Sequence, residues 1–316
     1  MTTPFAETLS DLELAPPASR GGLSMLPLVG PTPKSVTPAY DLAADALARG
    51  TLVVTEVSEA GSVQELLVRN SGTRPVMLVD GEQLVGAKQN RVLNISILVP
   101  AGVSLIVPVS CVEAGRWARN ERGFASSRDM HFASGRRHRM ARVQESAASH
   151  GSLRGDQAAV WNDVDALMCA LEVRSETAAM SDALSAVAGR VDGYNEGLPP
   201  VRNQRGAVFA DGGVAVGGVA VGVELVDHPS AWAAIHDKVV RSYAVEALRS
   251  PRTDEIVDIE VARAWLRDLA QAQWLPQPSV GLGDTVRLAH GATVGAALVW
   301  EDRLVHASLM GEIPAE

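Results

Sequence analysis

Cysteine is nearly absent: Cys111 and Cys169 are the two thiols in 316 residues, too few for a disulfide framework. No window near the start joins a basic region, an apolar core and a small-residue cleavage site, so the chain reads as cytoplasmic. Long apolar runs are missing as well. The stretch from Val92 to Val109 is interrupted by Asn94, Ser96, Pro100, Gly102 and Ser104, well short of the roughly 18 uninterrupted residues of a membrane helix. It reads as strands, and no membrane partner is expected. Excess positive charge is also lacking. A formal net charge of -9 excludes general nucleic-acid binding, because neutralising a phosphate backbone requires a basic surface. Gly-x-Ser-x-Gly does not occur, so no nucleophile elbow is present. His131, His138 and His150 lack the one-turn spacing of a helical metal pair, and the two cysteines are far apart, which disfavours zinc.

What is present is an ample supply of core. Hydrophobic residues make up 47% and charged residues 21% of the chain, ordinary globular usage, and the length suits two lobes. Residues 1–37, rich in Pro, Gly and Ser, read as an irregular lead-in with one apolar run at Leu23 to Val29. Residues 38–150 read as a β-rich lobe. It opens with a short helix from Ala39 to Arg49 closed by Gly50, and continues with strands at 52–57, 63–68, 75–79, 92–99 and 103–109. The turn Val99-Pro100-Ala101-Gly102 predicts that the last two form a hairpin. Residues 151–316 read as a second, α+β lobe. Helical spacing begins at Asp156, a glycine-turned hairpin spans Ala207 to Val226, and helices run from Asp227 to Leu248 and from about Ile256 to Trp274. A meander turned at His290-Gly291 and Glu301-Asp302 closes the chain. The fold class is α+β, since strands and helices do not alternate as in a doubly wound sheet.

Chemistry concentrates in two segments. Asp80-Gly81-Glu82-Gln83-Leu84-Val85-Gly86-Ala87-Lys88-Gln89-Asn90-Arg91 lies between strands, where binding groups usually sit; a solvated turn is the alternative. It nearly spells a phosphate loop, but Ala87 intrudes before Lys88 and Gln89 stands where a Ser or Thr would hold magnesium. Lys88 and Arg91 can still hold a phosphate as side chains, beside the amides of Gln89 and Asn90. The second segment is Val109-Ser110-Cys111-Val112-Glu113-Ala114-Gly115-Arg116-Trp117. Its Cys-to-Arg spacing is one residue shorter than a thiolate phosphatase loop, so Cys111 is the weaker nucleophile candidate and Glu113 the stronger acid or base. Asp80, Glu82 and Glu113 also suit a hard divalent cation, with solvent-facing turn acids as the alternative. From Arg116 to Arg142, Arg116, Arg119, Arg122, Arg128, Arg136, Arg137, Arg139 and Arg142 make a locally basic stretch that suits an anion.

The segments Asp80 to Asn94 and Pro108 to Trp117, with Asp156-Gln157, Val160-Trp161 and Arg241-Ser242-Tyr243-Ala244, resemble signatures of a bacterial domain family associated with ADP-ribosylglycohydrolases and with rhodanese or phosphatase proteins. The resemblance runs from about Leu23 to Met310. It implies work near ADP-ribose or NAD breakdown. The first hypothesis is therefore a hydrolase or transferase acting on an ADP-ribose, NAD-derived or other phosphate-bearing small molecule. Asp80, Glu82, Glu113 and Cys111 are its candidate catalytic groups, Lys88, Gln89, Asn90, Arg91 and Arg116 its ligand-binding groups, and Trp117 a stacking surface. On the expected antiparallel run, Glu82 and Glu113 converge in one cleft. The second hypothesis is a metabolite-binding or sensor module that breaks no bond. A third is a structural partner that docks, or forms an oligomer, through the apolar helix from Pro229 to Leu248.

Overall fold

A computed structural model describes residues 3–116, 123–215, 218–249 and 258–314. The lead-in is not irregular. Thr3 accepts a hydrogen bond from the Ala6 N–H at 3.2 Å and Pro4 stands in the first turn, so helix α1 (Pro4–Ser10) forms. Then come β1 (Glu13–Leu14), β2 (Ala18–Arg20) and β3 (Leu23–Val29). All but the last residue of β3 are buried, and burial on both faces erases the alternation by which a strand is read from sequence.

The next segment holds β4 (Asp41–Leu42), α2 (Ala43–Ala48), β5 (Leu52–Glu56), β6 (Glu65–Asn70), β7 (Val76–Leu78), β8 (Glu82–Val85), β9 (Arg91–Leu93), β10 (Ile97–Val99) and β11 (Ser104–Cys111). Gly50, at φ +71°, ends α2 as expected. After these come β12 (Ala125–Met130), α3 (Ala133–His150), α4 (Gln157–Ala170), α5 (Met180–Ala186) and α6 (Ala188–Gly197). The chain continues through β13 (Gln204–Ala215), β14 (Gly218–Val226), α7 (Pro229–Ala247), α8 (Ile259–Gln271), β15 (Leu275–Gln277), β16 (Asp284–His290), β17 (Thr293–Trp300) and β18 (Arg303–Pro314). Helices and mostly antiparallel sheets make this an α+β fold.

Two compact units result: Ala39–Ala188 with Gln277–Gly283, and Met1–Pro38 with Gly189–Pro276 and Asp284–Glu316. In the second of these a nine-stranded sheet has the order β1-β3-β13-β14-β18-β17-β16-β15, with β2 beside β3. Phe5 of α1 and Ala262, Trp265, Leu266 and Leu269 of α8 bury against Leu26, Val208, Val223 and Leu309. The expected hairpin and meander are both in this sheet. Helix α7 starts at Pro229, with His228 Nδ1 accepting from the Ser230 N–H at 3.1 Å. Its expected apolar face of Trp232, Ile235, Val239 and Tyr243 is buried, and the Tyr243 ring stacks on Phe209 of β13 at a centroid distance of 4.3 Å. The face is spent on the unit's own core, which removes it as a docking helix.

In the other unit a six-stranded sheet, β12-β8-β9-β11-β6-β5, packs with a three-stranded sheet, β10-β7-β4. Leu66, Val68, Leu84, Leu93, Val107 and Val109 meet Ala43, Val76, Leu78, Ile97 and Val99 in its core. Two expectations fail here. The 92–99 run splits into β9, which pairs with β11, and β10, which pairs with β7 in the other sheet; β10 and β11 are not a hairpin. The Asn70 side-chain amide donates to the carbonyls of Arg74, Val99 and Pro100 at 2.8, 3.2 and 3.1 Å, tying the turn after β10 to the end of β6. The polar segment Asp80 to Arg91 is not one loop, because β8 lies inside it.

Candidate functional site

The loop between β8 and β9 is clasped by Glu113. Glu113 Oε1 accepts from Arg116 Nε at 2.8 Å and Thr177 Oγ1 at 3.0 Å, and Oε2 accepts from Arg116 Nη2 at 2.7 Å and the Asn90 N–H at 3.0 Å. Arg116 also donates from Nη1 to the Ala87 carbonyl at 2.7 Å, and Gln89 Nε2 donates to the Glu113 carbonyl at 2.7 Å. Asn90 reaches Ser181 Oγ at 3.2 Å. Lys88 Nζ donates to the carbonyls of Glu59 and Ala60, both at 2.6 Å. Arg91 is wholly buried, donating to Gln89 Oε1 and the Ser62 carbonyl, each at 3.3 Å, with the Glu56 carboxylate 4.0 Å away. The motif residues thus stitch β8, β9 and β11 to α5 and to the segment before it.

Charge states follow from this packing. Burial pushes the Glu113 carboxyl up, but hydrogen bonds from Arg116, Asn90 and Thr177 outweigh it and hold the group below the ordinary carboxylate value. A carboxylate so stabilised makes a poor general acid. Burial raises the Cys111 thiol, against the opposing charge of Arg91. Its Sγ lies 3.0 Å from both Gln89 Oε1 and the Glu113 carbonyl, and Cys111 is fully buried, the setting of an inert cysteine. Gln157, the first residue of α4, accepts from the Cys111 N–H and donates to the Cys111 carbonyl, both at 2.8 Å. Trp117, Arg119 and Arg122 lie outside the described residues.

Asp80 and Glu82 belong elsewhere. Arg139 of α3 donates to Asp80 Oδ1 at 2.7 Å, Arg136 stands 3.7 Å from Oδ2, and Ser96 Oγ accepts from the Asp80 N–H at 2.9 Å. Glu82 Oε1 accepts from Ser126 Oγ at 2.8 Å. The register sets Glu82 level with Leu93 and Val109, so Glu113 lies four residues along and two strands across, roughly 16 Å away at ordinary strand spacings. The expected convergence of Glu82 with Glu113 therefore fails, and with it a shared cation site for Asp80, Glu82 and Glu113. Among the described residues, no group of three or more His, Cys, Asp or Glu side chains is arranged to hold a metal ion.

The arginine-rich stretch divides as well. Arg136 and Arg139 are buried, and Arg139 Nε and Nη1 have no hydrogen-bond partner among the described residues. Buried His131 is held well below the ordinary histidine value, first by burial and then by the charges of Arg139 and Arg136. Arg142 faces outward. It lines a groove of about 520 Å³ with Ser146, Ser149, Ser152, Arg154 and Asp156, between the end of α3 and the start of α4. Arg142 pairs with Asp156 at 3.0 Å and Arg154 with Glu65 at 2.7 Å, all four side chains being partly exposed.

A family model described as the ARG and Rhodanese-Phosphatase-superfamily-associated Protein domain matches residues 11–310. The chain belongs to that family. The name of this domain records an association with ADP-ribosylglycohydrolase and rhodanese/phosphatase proteins. No curated protein and no solved structure matches the chain. In this member of the family, the two motif segments chiefly build the clasp around Glu113. Of its outer half, Thr177 carries no local signal in the sequence, and Ser181, beside Asp182, reads there only as the start or interruption of a helix. Gln157 stood in a shorter motif and was read only as a helix start. Among the described residues, no helix is long and apolar enough to cross a membrane.

Proposed function

We propose that this chain binds a phosphate-bearing small molecule of the ADP-ribose or NAD-derived class, and that binding, not bond cleavage, is its work. The observation that carries the reading is the contrast between the two polar regions. Glu113 and Arg116 are committed to each other and to the loop they clasp, and Cys111 is sealed. Arg142 and Arg154, in contrast, project into an open groove from surface ion pairs. Such pairs are worth about 0–1 kcal/mol, so exchanging a carboxylate for a phosphate costs little. Arginine suits that exchange because its planar fork matches a phosphate with two parallel hydrogen bonds. The groove also adjoins the amino end of α4, where Asp156 Oδ1 accepts from the Ala159 N–H at 3.1 Å and the helix dipole favours negative charge. The family's association with ADP-ribosylglycohydrolases supplies the metabolite class.

A thermal-shift panel of NAD, ADP-ribose, its phosphorylated forms and sugar phosphates tests this, followed by mass analysis of each incubated hit. The expected result is stabilisation with every ligand recovered unchanged; a ligand at 100 times its Kd adds about 2.7 kcal/mol. If no phosphate-bearing compound stabilises the chain, the binding reading is lost. A mass change in a hit would restore the hydrolase or transferase hypothesis.

A further inference from the structure

The groove's lining constrains what enters it. Between Arg142 and Asp156 it is lined by arginine, serine, glutamate, histidine, glycine and aspartate side chains, with no aliphatic, phenyl or indole group. Its volume, about 520 Å³, falls in the range of small-molecule sites, most of which are largely apolar. A nucleobase gains its affinity from stacking on an aromatic or guanidinium face and from leaving water. Here the flat faces on offer are the imidazole of His150, engaged with Ser149, and the guanidinium groups of Arg142 and Arg154, both held in ion pairs. A polyol carrying a phosphate meets none of these difficulties.

The turn that forms the groove wall is fixed in place. Gln64 Nε2 donates to the Gly155 carbonyl at 2.7 Å, and Asn94 Nδ2 to the Leu153 carbonyl at 3.0 Å. Asn94 is itself held by Ser110 Oγ at 2.7 Å. The inner side of Gly155 is tightly packed: a Cβ there would lie 3.1 Å from Ser110 Oγ and 3.7 Å from Arg139 Cγ. The stem of buried Arg139, whose Nε and Nη1 lack a partner among the described residues, therefore runs directly behind the wall. That stem braces the wall from behind, while its guanidinium is paired with Asp80 at 2.7 Å. Polar groups suited to sugar hydroxyls stand alongside. Ser149 Oγ donates to the Glu145 carbonyl at 2.7 Å and lies 2.7 Å from His150 Nδ1, and Ser152 Oγ accepts from the Arg154 N–H at 3.3 Å.

We infer that the groove between α3 and α4 is a phosphosugar site, in which Arg142 and Arg154 hold the phosphate while the serine hydroxyls and Glu145 hold the sugar. The assignment rests on the proposed binding of a phosphate-bearing small molecule, and narrows it: the ribose phosphate is recognised and any attached base stays in solvent.

Isothermal titration of the full chain with ribose 5-phosphate, AMP, ADP-ribose, adenosine and inorganic phosphate tests it. Ribose 5-phosphate and AMP are expected to bind within about threefold of each other, adenosine not at all, and inorganic phosphate at least tenfold more weakly. Arg154→Ala and Arg142→Ala, both at exposed positions, should each weaken ribose 5-phosphate at least tenfold with an unchanged melting temperature in the absence of ligand. Binding of AMP or ADP-ribose without ribose 5-phosphate would show that the base is read; the phosphosugar assignment then fails while the broader function survives. Equal affinity for inorganic phosphate would remove the sugar contacts. Undiminished ribose 5-phosphate binding by both variants would move the site out of this groove. If nothing in the panel binds, the phosphosugar site and the broader function fail together.

Discussion

Glu113 receives four hydrogen bonds, and that number decides its role. A catalytic acid needs a raised pKa and a lone pair or proton free for substrate; Glu113 has a lowered one and its oxygens are occupied. Glu113→Gln should therefore act on stability. It removes the charge from a bidentate pair and sets an amide N–H₂ against donors, for a loss of about 2 kcal/mol by urea denaturation, within the span of hydrogen bonds to charged groups. Ligand affinity at the groove should be unchanged; a variant as stable as the parent would return Glu113 to the list of functional candidates. Cys111 yields a simpler prediction. Thiolate chemistry requires access, and Cys111 is buried whereas Cys169 is exposed. Alkylation of the native chain with iodoacetamide followed by peptide mass analysis should label Cys169 alone, with Cys111 appearing only after denaturation. Rapid native labelling of Cys111 would contradict its placement.

At the scale of elements, α4 is joined to β11 through one side chain. Gln157 imitates a neighbouring strand, satisfying both backbone groups of Cys111, and Gln157→Ala leaves them unpaired in a partly buried setting at a cost of about 1–3 kcal/mol. A lowered melting temperature with unchanged helix content by circular dichroism is expected; no change would mean that α4 is held by apolar packing alone. Elements of this kind mark how far the sequence could be read. Helices α7 and α8, the β13–β14 hairpin and the closing meander were legible because periodicity and punctuation act over adjacent residues: Trp232, Ile235 and Val239 show their helix without outside help. Strand β3 was not, since burial on both faces removes alternation. The split of 92–99 between two sheets falls where Asn94 meets Ser110 and Leu153 and Ser96 meets the Asp80 N–H, and no local pattern reports such bonds. The same holds for the site. The motif segments were found, but the side chains that occupy them come from Thr177 and Gln157, so a pattern legible as polar and unpaired was in fact paired. Arg136 and Arg139 read as part of an anion-binding stretch for a similar reason, because their partner Asp80 is 56 and 59 residues away.

For the whole molecule, burying these groups couples folding to protons. His131 is kept neutral by burial and by Arg139 and Arg136, with a folded pKa well below the ordinary 6.5. Below about pH 6.5 the unfolded chain takes up a proton there that the folded chain refuses, so the stabilisation is complete above that pH and is lost as pH falls towards the folded value. Glu113 acts in the same direction at lower pH. Its folded pKa is depressed, so its contribution is complete above the unfolded carboxylate value of about 4.3 and is lost as pH falls through the folded one. Acid should therefore destabilise the chain in two overlapping steps, the first from His131 and the second from Glu113. The slope from one histidine approaches about 1.4 kcal/mol per pH unit once the unfolded side chain is protonated. Urea titrations at half-unit steps from pH 7.5 to 4 measure it. The slope between pH 6 and 5 should be shallower in His131→Gln by up to that amount, whatever the substitution does to absolute stability, while Glu113→Gln should leave this interval alone and flatten the curve below about pH 4.5. The comparison with the parent cancels the contributions of the other six histidines. An unaltered slope in His131→Gln between pH 6 and 5 would mean that His131 titrates in the folded chain much as it does in the unfolded one, and that the arginines of α3 do not govern its charge.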